Sequence, residues 1–176
     1  METVNPPEVR TEWLTDDGRI TNHPEFPVLI YSKSIRGMSR GDAMLVERTF
    51  STNWWFYAWR SGVYDFHHYH STAHEVLGVY DGEASIQLGG ESGIKVVVSP
   101  GDVLNISAGV GHRNLGSADD FAVVGAYPRG QRWDLCYSEE TGRIGIVDRL
   151  ARVTYSETDP VYGEEGPLKT YWKMDC

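Results

Sequence analysis

Between residues 53 and 127, turn signals cut the chain into runs too short for helices. NWWFYAW, FHHYH, EVLGVY, EASIQL, IKVVV, VLNI and FAVVGAY are separated by breakers such as Asp81-Gly82, GGESG and Pro100-Gly101-Asp102. The runs are rich in aromatic and β-branched residues, which fit a pleated, half-buried surface. About seven short strands at this spacing indicate an all-β sandwich or barrel. Asp-Gly is a strong hairpin dipeptide, so EVLGVY and EASIQL are expected to flank a hairpin.

The flanks are less regular. FPVLIY (Phe26 to Tyr31), with Pro24 and Pro27, reads as an edge or added strand. Gly41 to Phe50 does not alternate and reads as one short helix, whereas RIGIVDRLARV fits a helix or a strand. The expected organisation is an extended arm over 1–25, a barrel over 26–165 and a tail over 166–176.

The chain has 176 residues, enough to bury a core without disulfide staples. Its two cysteines, Cys136 and Cys176, lack CxxC spacing, which suggests a reducing, cytoplasmic setting. The N-terminus has no signal-peptide layout, and no apolar run is long enough to span a bilayer. A formal net charge of −9 without a basic cluster argues against nucleic acid, whose binding rests on phosphate neutralisation. The expected partner is a small molecule.

Four of the six histidines, His67, His68, His70 and His74, fall within eight residues, followed directly by Glu75. His112 lies roughly forty residues further on, after a glycine-punctuated loop. On a strand, His68 and His70 project to one face and His67 to the other. Two imidazoles at i and i+2 can reach one ion, a neighbouring strand can add Glu75, and a distant one His112. Such donors suit iron, manganese, nickel, cobalt or zinc and leave positions open. A lone histidine is more often an ordinary residue; this many with this spacing point to a site. At this level His67 and His74 remain alternative ligands.

The spacing resembles the cupin signature. The first cupin motif, G-x5-H-x-H-x(3,4)-E-x6-G, is matched by Gly62, His68, His70, Glu75 and Gly82. In the second, G-x5-P-x-G-x2-H-x3-N, Gly101, Gly109 and His112 match. Ser107 replaces the proline, and Gly116 stands where the asparagine belongs, with Asn114 two residues early. HHYHSTAHEVLGVYDG, GDVLNISAGVGHRNLG and FAVVGAYPRGQ resemble, more narrowly, the small single-domain YjlB-like cupins. The resemblance implies a double-stranded β-helix, a jelly-roll-like barrel with N- and C-terminal extensions. It also implies one divalent metal held by His68, His70, Glu75 and His112.

Other residues are candidates for supporting roles. Trp55, Tyr57 and Trp59 share one strand parity, and with Tyr127 they are expected to line a substrate pocket. Arg113 or Arg129 is a candidate for a substrate carboxylate, and Asn114 for supporting His112. Glu75 is open to two roles, plain ligand or catalytic base. The expected function is a metal-dependent enzyme, with a dioxygenase slightly ahead of an isomerase, decarboxylase or lyase. A non-catalytic metabolite- or metal-binding protein is the alternative. A homodimer paired through the FPVLIY strand is expected, because an unpaired apolar edge seeks a partner.

Overall fold

A computed structural model describes residues 4–37, 40–137 and 143–173. Cys176 lies outside them. Eight strands carry the barrel: β3 (Trp55–Ser61), β4 (His68–Tyr69), β5 (Glu75–Asp81), β6 (Ala84–Leu88), β7 (Ile94–Val98), β8 (Val103–Ile106), β9 (His112–Ser117) and β10 (Ala122–Pro128). Around them lie β1 (Val9–Glu12), β2 (Val28–Tyr31), β11 (Cys136–Tyr137) and helices α1 (Ala43–Thr52), α2 (Arg143–Leu150) and α3 (Leu168–Tyr171). No described helix is long and apolar enough to cross a membrane.

The barrel pairs β6 with β7, β5 with β8, β4 with β9 and β3 with β10, all antiparallel. That is one long hairpin with β3 to β6 as one arm and β7 to β10 as the other. The arms wind so that strands alternate between two sheets, β1-β2-β8-β5-β10-β3 and β11-β4-β9-β6-β7. This is the double-stranded β-helix, or jelly roll.

Period-two alternation fills two cores from the same strands. Leu77, Val79, Leu104, Ile106 and Val123 point between the sheets. Val76, Val103, Val124 and Ala126 point outward, under Val46 and Phe50 of α1 and under Trp172. Strands buried on both faces read as the near-continuous apolar runs seen in the sequence.

Four expectations change. Asp81-Gly82 turns the chain, yet β5 and β6 lie in different sheets and do not pair. Gly82 has φ 62° and a Cβ there would lie 2.5 Å from the Phe121 backbone, so it makes a tight corner between sheets. An eighth barrel strand, β9, begins on His112 itself. The segment expected as an arm supplies β1, which pairs with β2, while β2 also pairs with β8. The edge expected to recruit a second copy is thus already occupied. Finally, the segment expected as a tail carries Trp172, fully buried in the outer core. RIGIVDRLARV resolves as helix α2 over its first eight residues.

Asp159 holds that C-terminal segment in place. Its carboxylate accepts from the Tyr31 hydroxyl at 2.7 Å and from the backbone N–H groups of Val161, Tyr162 and Leu168 at 2.8 to 3.0 Å.

Burial at the N-terminus also creates an acid sensitivity. His23 Nδ1 accepts the N–H groups of Glu25 and Phe26, both at 3.1 Å, so that ring nitrogen must stay unprotonated. Burial pushes His23 down to about 4. Unfolded, the ring regains an ordinary value near 6.5 and binds a proton that the native state rejects. This contribution is therefore whole above about pH 6.5 and is lost as pH falls toward 4. At pH 5 the loss amounts to about 2 kcal/mol. Urea unfolding at pH 7 and pH 5, on the wild type and His23→Asn, checks this; equal losses in both proteins would refute it.

Candidate metal centre

At one end of the barrel the inward-facing layer changes from apolar to polar. Leu77 and Val79 of β5 face the inner core, and by the same parity Glu75 faces inward at the head of that strand. The single register pair between β4 and β9 is His68 opposite His112, with ring centroids 4.1 Å apart. His70 follows two residues after His68 on the same side. The sequence brings these groups together because one ligand strand from each arm of the wound hairpin meets here.

The ligand nitrogens of His68, His70 and His112 lie within 4.8 Å of one another, and all three residues are buried. Glu75, 2% exposed, sets its Oε2 at 3.2 Å from Nε2 of His70 and 3.2 Å from Nε2 of His112.

The backbone decides which nitrogens face inward. His68 Nδ1 lies 3.2 Å from the Phe66 carbonyl oxygen and His112 Nδ1 lies 3.1 Å from that of Val110. His70 Nδ1 contacts the Asp134 carbonyl oxygen. A carbonyl only accepts, so each Nδ1 carries hydrogen and each neutral ring presents a bare Nε2 lone pair to the centre. Glu75 Oε2 is buried and has no hydrogen-bond donor. Bare nitrogens facing an orphaned carboxylate oxygen repel one another unless a cation lies between them.

A proton shared with His70 can serve as such a cation. Burial pushes Glu75 up, but the His70 and His112 imidazoles outweigh it and hold the carboxyl well below the usual range. Burial pulls His70 down, yet Glu75 carries it above its ordinary value. Burial, then His112, pushes His68 down to about 3. The centre attracts positive charge while keeping His68 neutral. Three buried imidazoles in this disposition can hold a divalent transition-metal ion.

A clamp sets the orientation of His70. The Asp134 carboxylate accepts the Ser71 N–H at 2.6 Å, the Ser71 hydroxyl and the Cys136 thiol at 3.3 Å. Arg149 of α2 donates to Ser71 Oγ at 2.6 Å. With its side chain fixed at three points, Asp134 aims its own carbonyl at His70 Nδ1. Hydrogen bonds that orient a ligand typically carry a 10- to 100-fold effect on metal affinity. Asp134→Ala is expected to weaken binding by about that factor, read by competition against a chelator. Affinity within twofold of wild type in a normally folded variant would show that the clamp has no such role.

Above His68, His70 and Glu75 opens a cavity of about 320 Å³, walled by Trp59, Leu77, Tyr64, Tyr127, Trp133 and Leu135. Tyr127 donates its hydroxyl hydrogen to Glu75 Oε1 at 3.0 Å and accepts from Trp59 Nε1 at 3.1 Å. Burial, then Glu75, pushes this phenol well above its usual value. Trp133 stacks on Tyr127, with centroids 4.3 Å apart and planes 7° from parallel.

Of the four expected pocket residues, Trp59 and Tyr127 line this cavity, while Trp55 and Tyr57 do not. Trp55 is fully buried in the outer core and donates to the Thr158 carbonyl at 3.0 Å. Tyr57 is 56% exposed. A β-bulge is the cause: Phe56 to Trp59 takes three steps on β3 against two on β10, and Tyr57 has φ 59°. Parity is thereby reversed between Trp55 and Trp59. Gly125 lets the Trp59 indole lie against β10, where a Cβ would come within 2.1 Å of it.

The other candidates are turned elsewhere. His74 is buried on the outer side, accepts the Ala108 N–H at 2.9 Å, meets the Thr154 carbonyl at 3.1 Å and packs against Trp172. His67 faces Glu91, 3.9 Å away. Asn114 braces a bulge in β9, accepting the Gly116 N–H at 2.8 Å and donating to Ser117 at 3.0 Å. Ser107, in place of the motif proline, donates to the Phe26 carbonyl at 2.7 Å and ties the N-terminal segment to the barrel. Arg113 is held by Gln87 and Glu91, and the Arg129 guanidinium lies 4.4 Å from the Trp54 ring centroid. Sequence reasoning missed Tyr64, Trp133 and Asp134. For Trp133 the signal is a bulky aromatic within the polar run GQRWD.

No family model matches the chain. It is 39% identical over 165 residues to the uncharacterized protein YjlB of Bacillus subtilis (strain 168), spanning 94% of this chain and 97% of that one. Among solved structures it is similar to procruciferin, an 11S globulin from Brassica napus, with TM-score 0.38 and 16% identity. It is also similar to the DMSP lyase DddQ from Ruegeria pomeroyi DSS-3, with TM-score 0.38 and 13% identity. Each superposition covers 78% of this chain, but only 28% of the globulin and 54% of the lyase.

Proposed function

This chain belongs to the family of Bacillus subtilis YjlB, over nearly that protein's whole length, and we propose its function from the site itself. The chain is a metal-dependent enzyme of the cupin type, acting on a small organic substrate in the barrel, with dioxygenase chemistry favoured. One divalent transition metal would be held by His68, His70, Glu75 and His112. The observation that carries this is the buried, donorless Glu75 Oε2 at 3.2 Å from two Nε2 atoms whose Nδ1 positions the backbone has claimed. When bound, iron would supply dioxygen activation at this site, and a redox-inert ion would supply Lewis-acid polarisation.

The chain's own residues then divide the work. Glu75 Oε2 faces the histidines, while Oε1 takes the Tyr127 hydrogen bond. The second oxygen is thus positioned to receive a substrate proton, and Tyr127 steadies the carboxylate as its charge changes. Trp59 fixes the phenol from its other side. Trp133 and Leu135 add apolar surface to the cavity wall. This proton-handling pair is also what favours the second reading, a redox-neutral isomerase, decarboxylase or lyase. Buried, free Cys136 suits a reducing cytoplasm.

The test is metal analysis of protein purified without added metal, followed by oxygen uptake with phenolic and diketone substrates. Iron with substrate-dependent oxygen consumption supports the dioxygenase. A redox-inert ion with substrate turnover and no oxygen uptake selects the second reading, and metal without turnover of any substrate leaves a binding protein.

A further inference from the structure

The cavity above the histidines has an unusual charge distribution for a small-molecule site. Its walls are mainly aromatic and aliphatic, with Ser61 and Gly62 at one side, and among the described residues no lysine or arginine lines it. Several nearby cations are committed elsewhere: Arg113 to Gln87 and Glu91, Arg60 to Glu47, Arg149 to Ser71 and Arg129 to the Trp54 face. The Tyr127 hydroxyl has one hydrogen, and Glu75 takes it. A carboxylate or phosphate on the body of a bound molecule would therefore meet ring faces, which carry negative partial charge, with no cation to offset its desolvation. At the floor the situation is reversed, because the imidazole nitrogens and Glu75 form a place for one oxygen-bearing head group.

We propose that this cavity selects a small unsaturated molecule with one metal-binding oxygen head and an otherwise uncharged body, and rejects its counterpart bearing a second anionic group. The class is that of catechols and enolisable dicarbonyls without an acidic side chain. At 320 Å³, and about 30 Å³ per water molecule, the cavity has the volume of about ten waters, room for a single ring with a short substituent. The proposal rests on the metal reading above, since the metal anchors the head group.

Two probes of equal head and different tail separate the possibilities: 4-methylcatechol and protocatechuate, which carries a carboxylate at the corresponding ring position. Each is titrated calorimetrically into protein shown to hold one cobalt(II) per chain, and into metal-free protein. The expected result is binding of 4-methylcatechol at least about tenfold tighter than protocatechuate, seen only with cobalt present. Leu135, 42% exposed on the cavity wall, is then replaced. Leu135→Arg places a cation on the wall and is expected to narrow or reverse the preference, with Val63→Lys as a second site should the first variant fold poorly. Equal or tighter binding of protocatechuate by the cobalt-loaded wild type overturns the proposal. So does absence of binding by both probes, or binding that ignores the metal. Failure to hold cobalt at all overturns the metal reading instead.

Discussion

His112→Ala is expected to leave a folded protein that no longer retains a metal ion. In the wild type, protein purified without chelator should carry about one ion per chain, and the variant less than about a tenth of that. His112 is 1% exposed, stands opposite His68 in the register and presents its Nε2 to Glu75 Oε2. Its removal takes away one of the four proposed donors and one of the two nitrogens, among the described residues, that approach the orphaned oxygen. The loss should exceed the 10- to 100-fold effect of disturbing a supporting hydrogen bond such as the Asp134 clamp. Elemental analysis and far-ultraviolet circular dichroism on the same sample give the answer. Full stoichiometry in a folded His112→Ala protein would place the ion elsewhere. His70→Gln, which keeps most of the volume, repeats the test should the alanine variant unfold.

The second large effect is on stability. Trp172→Ala should cost about 3 to 5 kcal/mol, the range for emptying a buried aromatic position. For a chain of this length that corresponds to a fall in melting temperature of about 10 °C. Trp172 is fully buried, stacks on Phe26 at 5.3 Å, packs on His74 at 4.4 Å and donates its indole hydrogen to the Pro27 carbonyl at 2.9 Å. It thus ties the last described helix to the strand that enters the barrel and to the residue before Glu75. Equilibrium urea unfolding checks it; a change below about 1 kcal/mol would mean that the C-terminal segment packs loosely in solution.

What could be read in advance follows from the range of each interaction. The strand runs, the helix α1 and the clustering of His68, His70, Glu75 and His112 were legible because alternation, turn residues and motif spacing are local patterns. Partner choice was not. Asp81-Gly82 announces a turn, but whether the chain doubles back or crosses to a second sheet depends on Phe121, nearly forty residues on. Strand β9 escaped notice because HRNLGS lacks alternating apolar residues and is held in place by its neighbours in the sheet. The positive φ of Tyr57 leaves no mark in the sequence, since bulges more often favour glycine, and so parity sent Trp55 to the wrong face. The Asp134 clamp joins segments more than sixty residues apart, beyond the reach of any local pattern.

The winding of the barrel has a temporal consequence. His68, His70 and Glu75 belong to the first arm, whereas His112 belongs to the second and reaches them only when β4 and β9 are paired. A chain still emerging from the ribosome, with residue 112 not yet made, has three donors and no chamber. Metallation would therefore be a closing event, and any ion would enter as a clasp fastening the two arms after they have coiled. Which metal the protein acquires would then depend on what the compartment offers at the moment of closure.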